Sequence, residues 1–576
     1  MTEHPADCCA PHPANAARVS LPGVTPADRT AYPRRRENAS KAELLVTGSL
    51  ITLDEATPRA EAMAVAGGRI LAVGSRDDLE SFVGPGTKVL DHRTGTVLPG
   101  FVEPHLHLVS SALVFDGVDC SPYANKTLDA VLAALKAAAA KAPAGQTVVG
   151  QLFDPSLLPG QPDLTAALLD QISADVPIVV MNASQHFFYV NSAAYAAAGI
   201  TAATPNPPGG DYGARNGTLT GIVAENSAML GFVKVLPPLT PEVIGKAITG
   251  IATMAAAAGV TYVHEAATGA IAGAQEVDLL HQVFAQPGFP VRGSMSVWGE
   301  RLAEFTAAGI QPGSGDDRLR SQTVKWVSDG SNQGFTGYMR ENYLGRDTRG
   351  VANFSPEQLA AHFAATAQAG WPIMCHANGD AALDMVMDAF AATAKLPCWD
   401  QSKRHRVEHS SLLHDSHIAV MAQLGVTPSF LMNHVRLWGK VMRDDILGPQ
   451  RAELLDRYAS VVRAGLRASF HCDFSVSPIG PLNYIATAAA RTMADGGEVL
   501  NAAERVSVAQ ALKGATIDAA WMSHADGLTG SLSAGKAADF VLLGDDPLAY
   551  EADPDAVREI AVLATYSDGT QVHAAS

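Results

Sequence analysis

The stretch FVEPHLHLVSS, Phe101 to Ser111, is an apolar run that ends in two histidines. On a strand, residues i and i+2 point to the same side, so His105 and His107 present two imidazoles to one point in space. A single histidine in a core is usually a hydrogen-bonded packing residue. Two in register, with Glu103 at the same parity, read as the opening of a metal site. Which fold carries that strand is decided by what repeats after it.

Outward from His107 the pattern alternates. Apolar runs of four to seven residues recur in QTVVGQLF, VPIVVMNA, GVTYVHEA, PVRGSMSVW, QTVKWVSDG, WPIMCHANGD, RHRVEHSS, GVTPSF and RASFHCDFS. Between them lie Ala-rich amphipathic segments such as PEVIGKAITGIATMAAAAG and PEQLAAHFAATAQAG. Continuous apolar strands alternating with helices signify a parallel sheet buried on both faces. Eight or more such units favour an α/β fold of the TIM (β/α)8 type over an open doubly wound sheet, and no Gly-x-Gly-x-x-Gly follows a first strand. Before this region, ELLVTGSLITLD and AMAVAGGRILAVG are short alternating strands, and GSLSAGKAADFVLLGDDPL and IAVLATYSDGTQVH match them at the other end. The expected organisation is a mobile arm over 1–42, a small β-domain from 43–97 and 527–576, and a barrel over 98–526 with an insertion around 185–235.

In a barrel of this kind the chemistry sits where strands end. The apolar runs end in His105 and His107, in Lys325 followed by Asp329, in His376 and Asp380, in His409 after Glu408, and in His471 and Asp473. A lysine inside a buried strand is costly unless it is neutral or paired. Condensed with carbon dioxide, Lys325 would become an anionic carbamate able to bridge two metal ions.

The chain has 576 residues, of which 47% are hydrophobic and 17% charged, enough for a large core and against global disorder. A net charge of −17 and a pI near 5.5 disfavour nucleic acid as a partner. The six cysteines show no paired spacing, as expected in a reducing compartment. His4, Cys8, Cys9 and His12 lie among Pro and Ala, with nothing to fix a chelating geometry. No signal peptide or membrane-spanning run is read, so the expectation is a cytoplasmic protein acting on a small molecule, with neither membrane nor nucleic-acid partner and compatible with a homodimer.

The segments LPGFVEPHLHL, VKWVSDGSNQGFTG, HANGDAALD, RHRVEHSSL, HCDFSVSP and GSLSAGKAADFVLL, with HFFYVNSAAYAAAGI and GIVAENSA between the first two, resemble in order the signatures of the amidohydrolase superfamily. The resemblance is to the branch of YtcJ-like proteins and N-substituted formamide deformylases, and covers the chain from about residue 43 onward. It implies a distorted TIM barrel with a β-sandwich built from both termini and a site for zinc. Carried over by position, His105 and His107 would bind the more buried ion, His376 and His409 the second, Lys325 would bridge two Zn2+ as its carbamate, and Asp473 would be the catalytic carboxylate. Cys472 departs from a serine common at this position and is read as packing.

The implied reaction is hydrolysis of a C–N amide bond by a metal-bound hydroxide, with Asp473 moving the proton. His186 and His434 would orient the substrate or polarise its carbonyl, and Phe188, Trp326 and Trp438 would hold an apolar or aromatic substituent. An N-substituted formamide is the leading substrate. Carbamates, lactams, other N-acyl compounds, a deaminase and a non-catalytic scaffold are the alternatives. Lys325 argues against a mononuclear deaminase, and the filled ligand positions argue against a scaffold.

Overall fold

A computed structural model describes residues 41–575 apart from 123, 144, 159 and 495. The expected arm, with His4, Cys8, Cys9 and His12, lies outside the described residues. The centre is an eight-stranded parallel sheet in sequence order: β1 Phe101–Leu106, β2 Val260–Thr268, β3 Arg292–Trp298, β4 Leu319–Val327, β5 Ile373–Ala377, β6 Arg406–His409, β7 Thr427–Phe430 and β8 Ser469–Phe470. The ring nearly closes between the ends of β8 and β1, where Asp473 N–H donates to His105 O at 3.2 Å and His107 N–H to Phe474 O at 2.8 Å.

Every residue of β1, β2, β5, β6 and β7 is buried, which is why apolar residues are not confined to alternate positions in these runs and why their polar residues need buried partners. The helices that cover them are set by local signals. Thr240 caps Pro241–Ala257, with proline at its first turn, and that helix buries Ile244, Ala247, Ile248, Ile251 and Ala255 along one stripe. Ser355 and Gln358 form a reciprocal capping box at the start of Pro356–Gln368.

The expected terminal β-domain is a seven-stranded sheet that unites both ends of the chain. Phe540–Leu543 pairs antiparallel with the end of Lys88–Pro99, Phe540 opposite Pro99. Arg292 on β3 fastens this sheet to the barrel, its buried guanidinium bonded to Asp539 at 2.7 Å and Asp568 at 2.5 Å.

The insertion begins earlier than expected. Val148–Phe153 and Ile178–Asn182, read from sequence as barrel strands, belong to a separate five-stranded sheet with Val118–Asp119, Phe187–Val190 and Ile222–Ala224. Their apolar composition matches that of barrel strands, with Ile178–Asn182 buried throughout and Val148–Phe153 buried except at Gln151 and Leu152, and the pairing distinguishes them. This sheet docks on the mouth of the barrel: Trp438 Nε1–H donates to Asp154 at 2.6 Å, and Gln185 Nε2–H to Ser475 Oγ at 3.4 Å. Among the described residues, no helix is long and apolar enough to cross a membrane.

Candidate metal centre

The end of β1 delivers His105, wholly buried, and His107, whose side chain is 17% exposed. The chain turns at once into the short helix Leu108–Ser111, whose first N–H groups, of Leu108 and Val109, both donate to the Glu265 carboxylate at the end of β2. That carboxylate neutralises the exposed donors of a helix start and fixes the direction in which His107 leaves the strand. Opposite, Asp473 follows β8 with a left-handed backbone, φ +56°, and His409 ends β6 at φ +65°. Such conformations are costly for residues other than glycine and cluster at functional sites. Here they turn both side chains out of strand alternation and toward the barrel axis.

These side chains meet. Asp473 Oδ1 lies 3.0 Å from His107 Nε2 and 3.3 Å from His105 Nε2. Lys325 Nζ is 3.2 Å from the same His105 Nε2. His409 Nδ1 is 3.9 Å from Asp473 Oδ2, and the rings of His409 and His376 meet edge to face at 4.5 Å. Asp473 Oδ1 and His107 Nδ1 are buried without a hydrogen-bond partner among the described residues. Ligands about 2.0–2.1 Å from a tetrahedral ion stand about 3.3 Å apart. An orphaned carboxylate oxygen at that spacing from two imidazole nitrogens fits a metal ion, and His105, His107 and Asp473 form such a group.

The imidazole tautomers agree with that fit. His105 Nδ1–H donates to Glu408 at 2.5 Å, and Glu408 is gripped by Arg406 at 2.6 and 2.8 Å, which leaves the His105 lone pair on Nε2. His376 Nε2–H donates to the Gly330 carbonyl at 3.1 Å, which leaves Nδ1 as its lone pair. Burial, reinforced by the Lys325 charge, holds His105 well below the usual imidazole range, and burial does the same for His409. Both are therefore neutral, as ligands must be. Burial alone would raise Asp473, but His105 and His107 pull it well below the ordinary carboxylate range. Burial lowers Lys325 against the opposing charges of Glu408 and Asp473.

His186, on the insertion, faces the His376 ring at 6.4 Å and donates Nδ1–H to Glu225 at 2.9 Å. Burial would lower His186, but the Glu225 hydrogen bond and charge raise it overall. His434 is buried, with Nδ1 3.3 Å from Ser411 Oγ and 3.8 Å from Asp456. Ser411, which donates to Asn378 Oδ1 at 2.7 Å, links it toward the centre. Trp438 is fully buried and ties the barrel to Asp154.

Two expectations for substrate contact require correction. Trp326 alternates with Lys325 and faces outward, stacked on His362 at 4.2 Å and bonded to Thr366 Oγ at 3.1 Å. Phe188 is turned into the core of the insertion, 6.5 Å from the Phe232 ring. Glu103 stands apart from the metal cluster: it accepts from Cys472 N–H at 3.1 Å and Tyr484 OH at 3.2 Å, and burial pushes it up to about 8. The Cys472 thiol packs in the same buried corner, pushed well above its usual range by burial. Asp329 is occupied by backbone, accepting from Asn378, Gly379 and Tyr338 N–H at 2.8–3.0 Å.

Sequence reading gave no role to Glu408, Arg406, Glu265 or Glu225. The first two shared one signal, Arg-x-Glu at strand parity in a buried run; the others are distant in sequence from what they support.

A family model described as amidohydrolase family matches residues 88–573. N-substituted formamide deformylase of Arthrobacter pascens is 28% identical over 91% of this chain and 97% of its own length. The putative amidohydrolase YtcJ of Bacillus subtilis is 26% identical over 91% of this chain and 98% of its own. Among solved structures, an uncharacterized metal-dependent hydrolase from Pyrococcus horikoshii superposes with a TM-score of 0.71 at 21% identity, covering 88% of this chain and 98% of that one.

Proposed function

The chain belongs to the amidohydrolase family, and on that premise we propose that it is a zinc-dependent hydrolase that cleaves the C–N bond of N-substituted formamides. The observation that carries the metal dependence is Asp473 Oδ1, buried, without a hydrogen-bond partner, and facing the Nε2 atoms of both His105 and His107. These three residues would hold one ion, and His376 and His409 a second. Lys325 would bridge them as a carbamate. In support, its amine, unmodified, points an N–H donor at the lone pair of His105 at 3.2 Å, whereas a carbamate offers two acceptor oxygens there. Burial that lowers the Lys325 pKa also favours the free amine, the form that condenses with carbon dioxide.

The ions, when bound, supply Lewis-acid polarisation of an acyl oxygen and a water that ionises near neutral pH. The chain's own part is to position and move a proton. Asp473, ionised at neutral pH, takes one proton from the attacking water at a carboxylate oxygen and returns it to the departing nitrogen. R–NH–CHO and water thus become R–NH2 and formic acid. Protonated, His186 donates Nδ1–H to Glu225 and Nε2–H to the acyl oxygen, a form favoured by the Glu225 bond and charge that raise it overall. The preference for formamides draws on the Arthrobacter relative. Phe188 and Trp326 are packed in cores and Trp438 is buried against Asp154, so Phe187 beside His186 would meet the N-substituent.

Elemental analysis of the purified protein should find about two zinc ions per chain. N-benzylformamide should be hydrolysed faster than its acetamide, carbamate, lactam or N-acyl amino acid counterparts, releasing formate and amine. Zinc-free protein that turns over amides would sink the metal dependence. Faster turnover of bulky acyl amides or carbamates would sink the formamide assignment alone.

A further inference from the structure

His471, at the end of β8, has both ring nitrogens engaged in a fully buried setting. Its Nε2 lies 3.1 Å from His409 Nδ1, and its Nδ1 lies 2.8 Å from Ser429 Oγ on β7. Ser429 Oγ is in turn 2.9 Å from Ser469 Oγ on β8. His105, His409 and His471 lie close enough to be taken for a three-histidine metal group. The ring planes argue otherwise. His471 is nearly parallel to His105, at 19° and 4.7 Å between centroids. Imidazole lone pairs lie in the ring plane, so two stacked rings send theirs side by side rather than onto one ion.

We propose that His471 is a positioning residue, the hydrogen-bond acceptor that fixes the tautomer of His409 so that His409 offers Nε2 to a metal ion. The inference rests on the reading of His409 as a ligand of the second ion. A neutral imidazole has one lone pair and one N–H. If Nε2 lends its lone pair to an ion, the proton of His409 is on Nδ1 and needs an acceptor. Asp473 Oδ2, at 3.9 Å, is beyond hydrogen-bond reach. His471 Nε2, at 3.1 Å, is within it.

Accepting there puts the His471 proton on Nδ1, donated to Ser429 Oγ, which also accepts the Ser469 hydroxyl. The donors then run from His409 through His471 to Ser429. In the opposite direction, from Ser469 to Ser429 to His471 to His409 Nδ1, the His409 proton is left on Nε2 with no lone pair for an ion. Metal binding selects the first direction without any change in the number of protons. A ligating histidine usually donates its second N–H to a carboxylate or a carbonyl, as His105 does to Glu408. At His409 that acceptor is a second histidine.

The test compares His471→Gln and His471→Phe, with zinc content, zinc retention against a chelator, and the visible spectrum of the cobalt-substituted protein as readouts. A glutamine side-chain oxygen can stand where Nε2 stands and accept from His409; phenylalanine fills the space and cannot. His471→Phe should hold zinc at the second position about 10–100-fold more weakly, and His471→Gln should recover most of that loss with a near-native cobalt spectrum.

Full retention by folded His471→Phe overturns the inference. Equal loss in both variants also overturns it, because it would make His471 a ligand. Should His471→Phe fail to fold, Ser429→Ala decides: losing the Nδ1 partner should weaken zinc retention about five-fold, and unchanged retention refutes the inference. Wild-type protein that binds no zinc refutes the ligand reading itself, and this inference falls with it.

Discussion

Glu408→Gln isolates what the carboxylate beneath His105 contributes. Glu408 is wholly buried and takes charge-assisted hydrogen bonds from Arg406 Nε at 2.6 Å, Arg406 Nη2 at 2.8 Å and His105 Nδ1 at 2.5 Å. An amide of the same shape has one oxygen and one NH2. With its oxygen at the Oε2 position it keeps His105 and Arg406 Nη2 but points NH2 at Arg406 Nε. Reversed, it keeps only Arg406 Nε and points NH2 at both Arg406 Nη2 and His105 Nδ1, which draws the His105 lone pair there and leaves a proton on Nε2. Arg406 is itself fully buried, and its Nη1 lacks a hydrogen-bond partner among the described residues. Removing the one carboxylate that pairs with it should therefore cost about 3–5 kcal/mol of stability.

The second effect is on the metal. Loss of the group that fixes a ligand's tautomer should weaken zinc binding about 10–100-fold. The two effects separate in the double variant Arg406→Met/Glu408→Gln. It removes the stranded charge and should recover much of the stability, yet leaves His105 without its carboxylate and should recover none of the zinc affinity. Denaturant titration of the apo protein reads the first quantity and chelator competition the second. Zinc binding by Glu408→Gln as tight as in wild type, or zinc affinity restored along with stability in the double variant, would refute this role of Glu408.

Three further outcomes are expected. Asp473→Asn keeps a neutral oxygen beside His105 and His107 but removes the proton acceptor, so kcat should fall about 100-fold or more with zinc retained; near-normal turnover would show that another group moves the proton. His405, far from the centre, is lowered by burial to about 4. The unfolded chain therefore binds more protons there below pH 6.5, and its contribution to stability falls by about 1.4 kcal/mol per pH unit between 6.5 and 4 as pH drops. The stability gap between wild type and His405→Phe should accordingly narrow by about 2 kcal/mol from pH 7 to pH 5 in denaturant titrations, and a constant gap would refute the burial argument. Trp438→Phe breaks the bond to buried Asp154, a loss of about 1–3 kcal/mol that should appear as faster proteolytic cleavage of the insertion and a raised KM with little change in zinc content.

The barrel was legible because its strands are buried end to end and finish in residues that have no business in an apolar core. His105 and His107 could be paired from parity alone, and Lys325 stood out for the same reason. Parity also carried the warning about Trp326, whose neighbour Lys325 faces inward. His409 and Asp473 were legible only as strand ends: their left-handed backbones, at φ +65° and +56°, break the alternation that would otherwise predict their direction. The boundary of the insertion was not legible. VVGQLF and IVVMN have the composition of barrel strands, and what assigns them to another sheet is their pairing with each other and with their neighbours Val118–Asp119 and Phe187–Val190 rather than with β1 or β2. The supporting carboxylates were hidden for a related reason. Glu265 and Glu225 act across gaps of more than thirty residues, and no local spacing announces such contacts.

The two layers of this molecule divide the work in a way that bears on substrate choice. The groups proposed to hold metal ions and move a proton come from barrel strand ends fixed by buried partners: Glu408 and Arg406 under His105, Gly330 at His376, Ser429 behind His471. The cover comes from the insertion, which touches the barrel mouth through a few polar contacts, Trp438 with Asp154 and Gln185 with Ser475. Within the cover, His186 and Glu225 are locked in both directions. The Glu225 N–H donates to the His186 carbonyl at 2.7 Å while its carboxylate accepts from the His186 ring at 2.9 Å. Gln185 and Glu225 both adopt left-handed backbone at φ +61° and +68°, strain that the reciprocal bonds offset. A rigid imidazole on a lightly docked cover allows the wall around an N-substituent to be rebuilt without disturbing the ligands beneath. Sequence changes in the insertion should therefore alter which amide is cleaved, and changes at the strand ends whether any is cleaved at all.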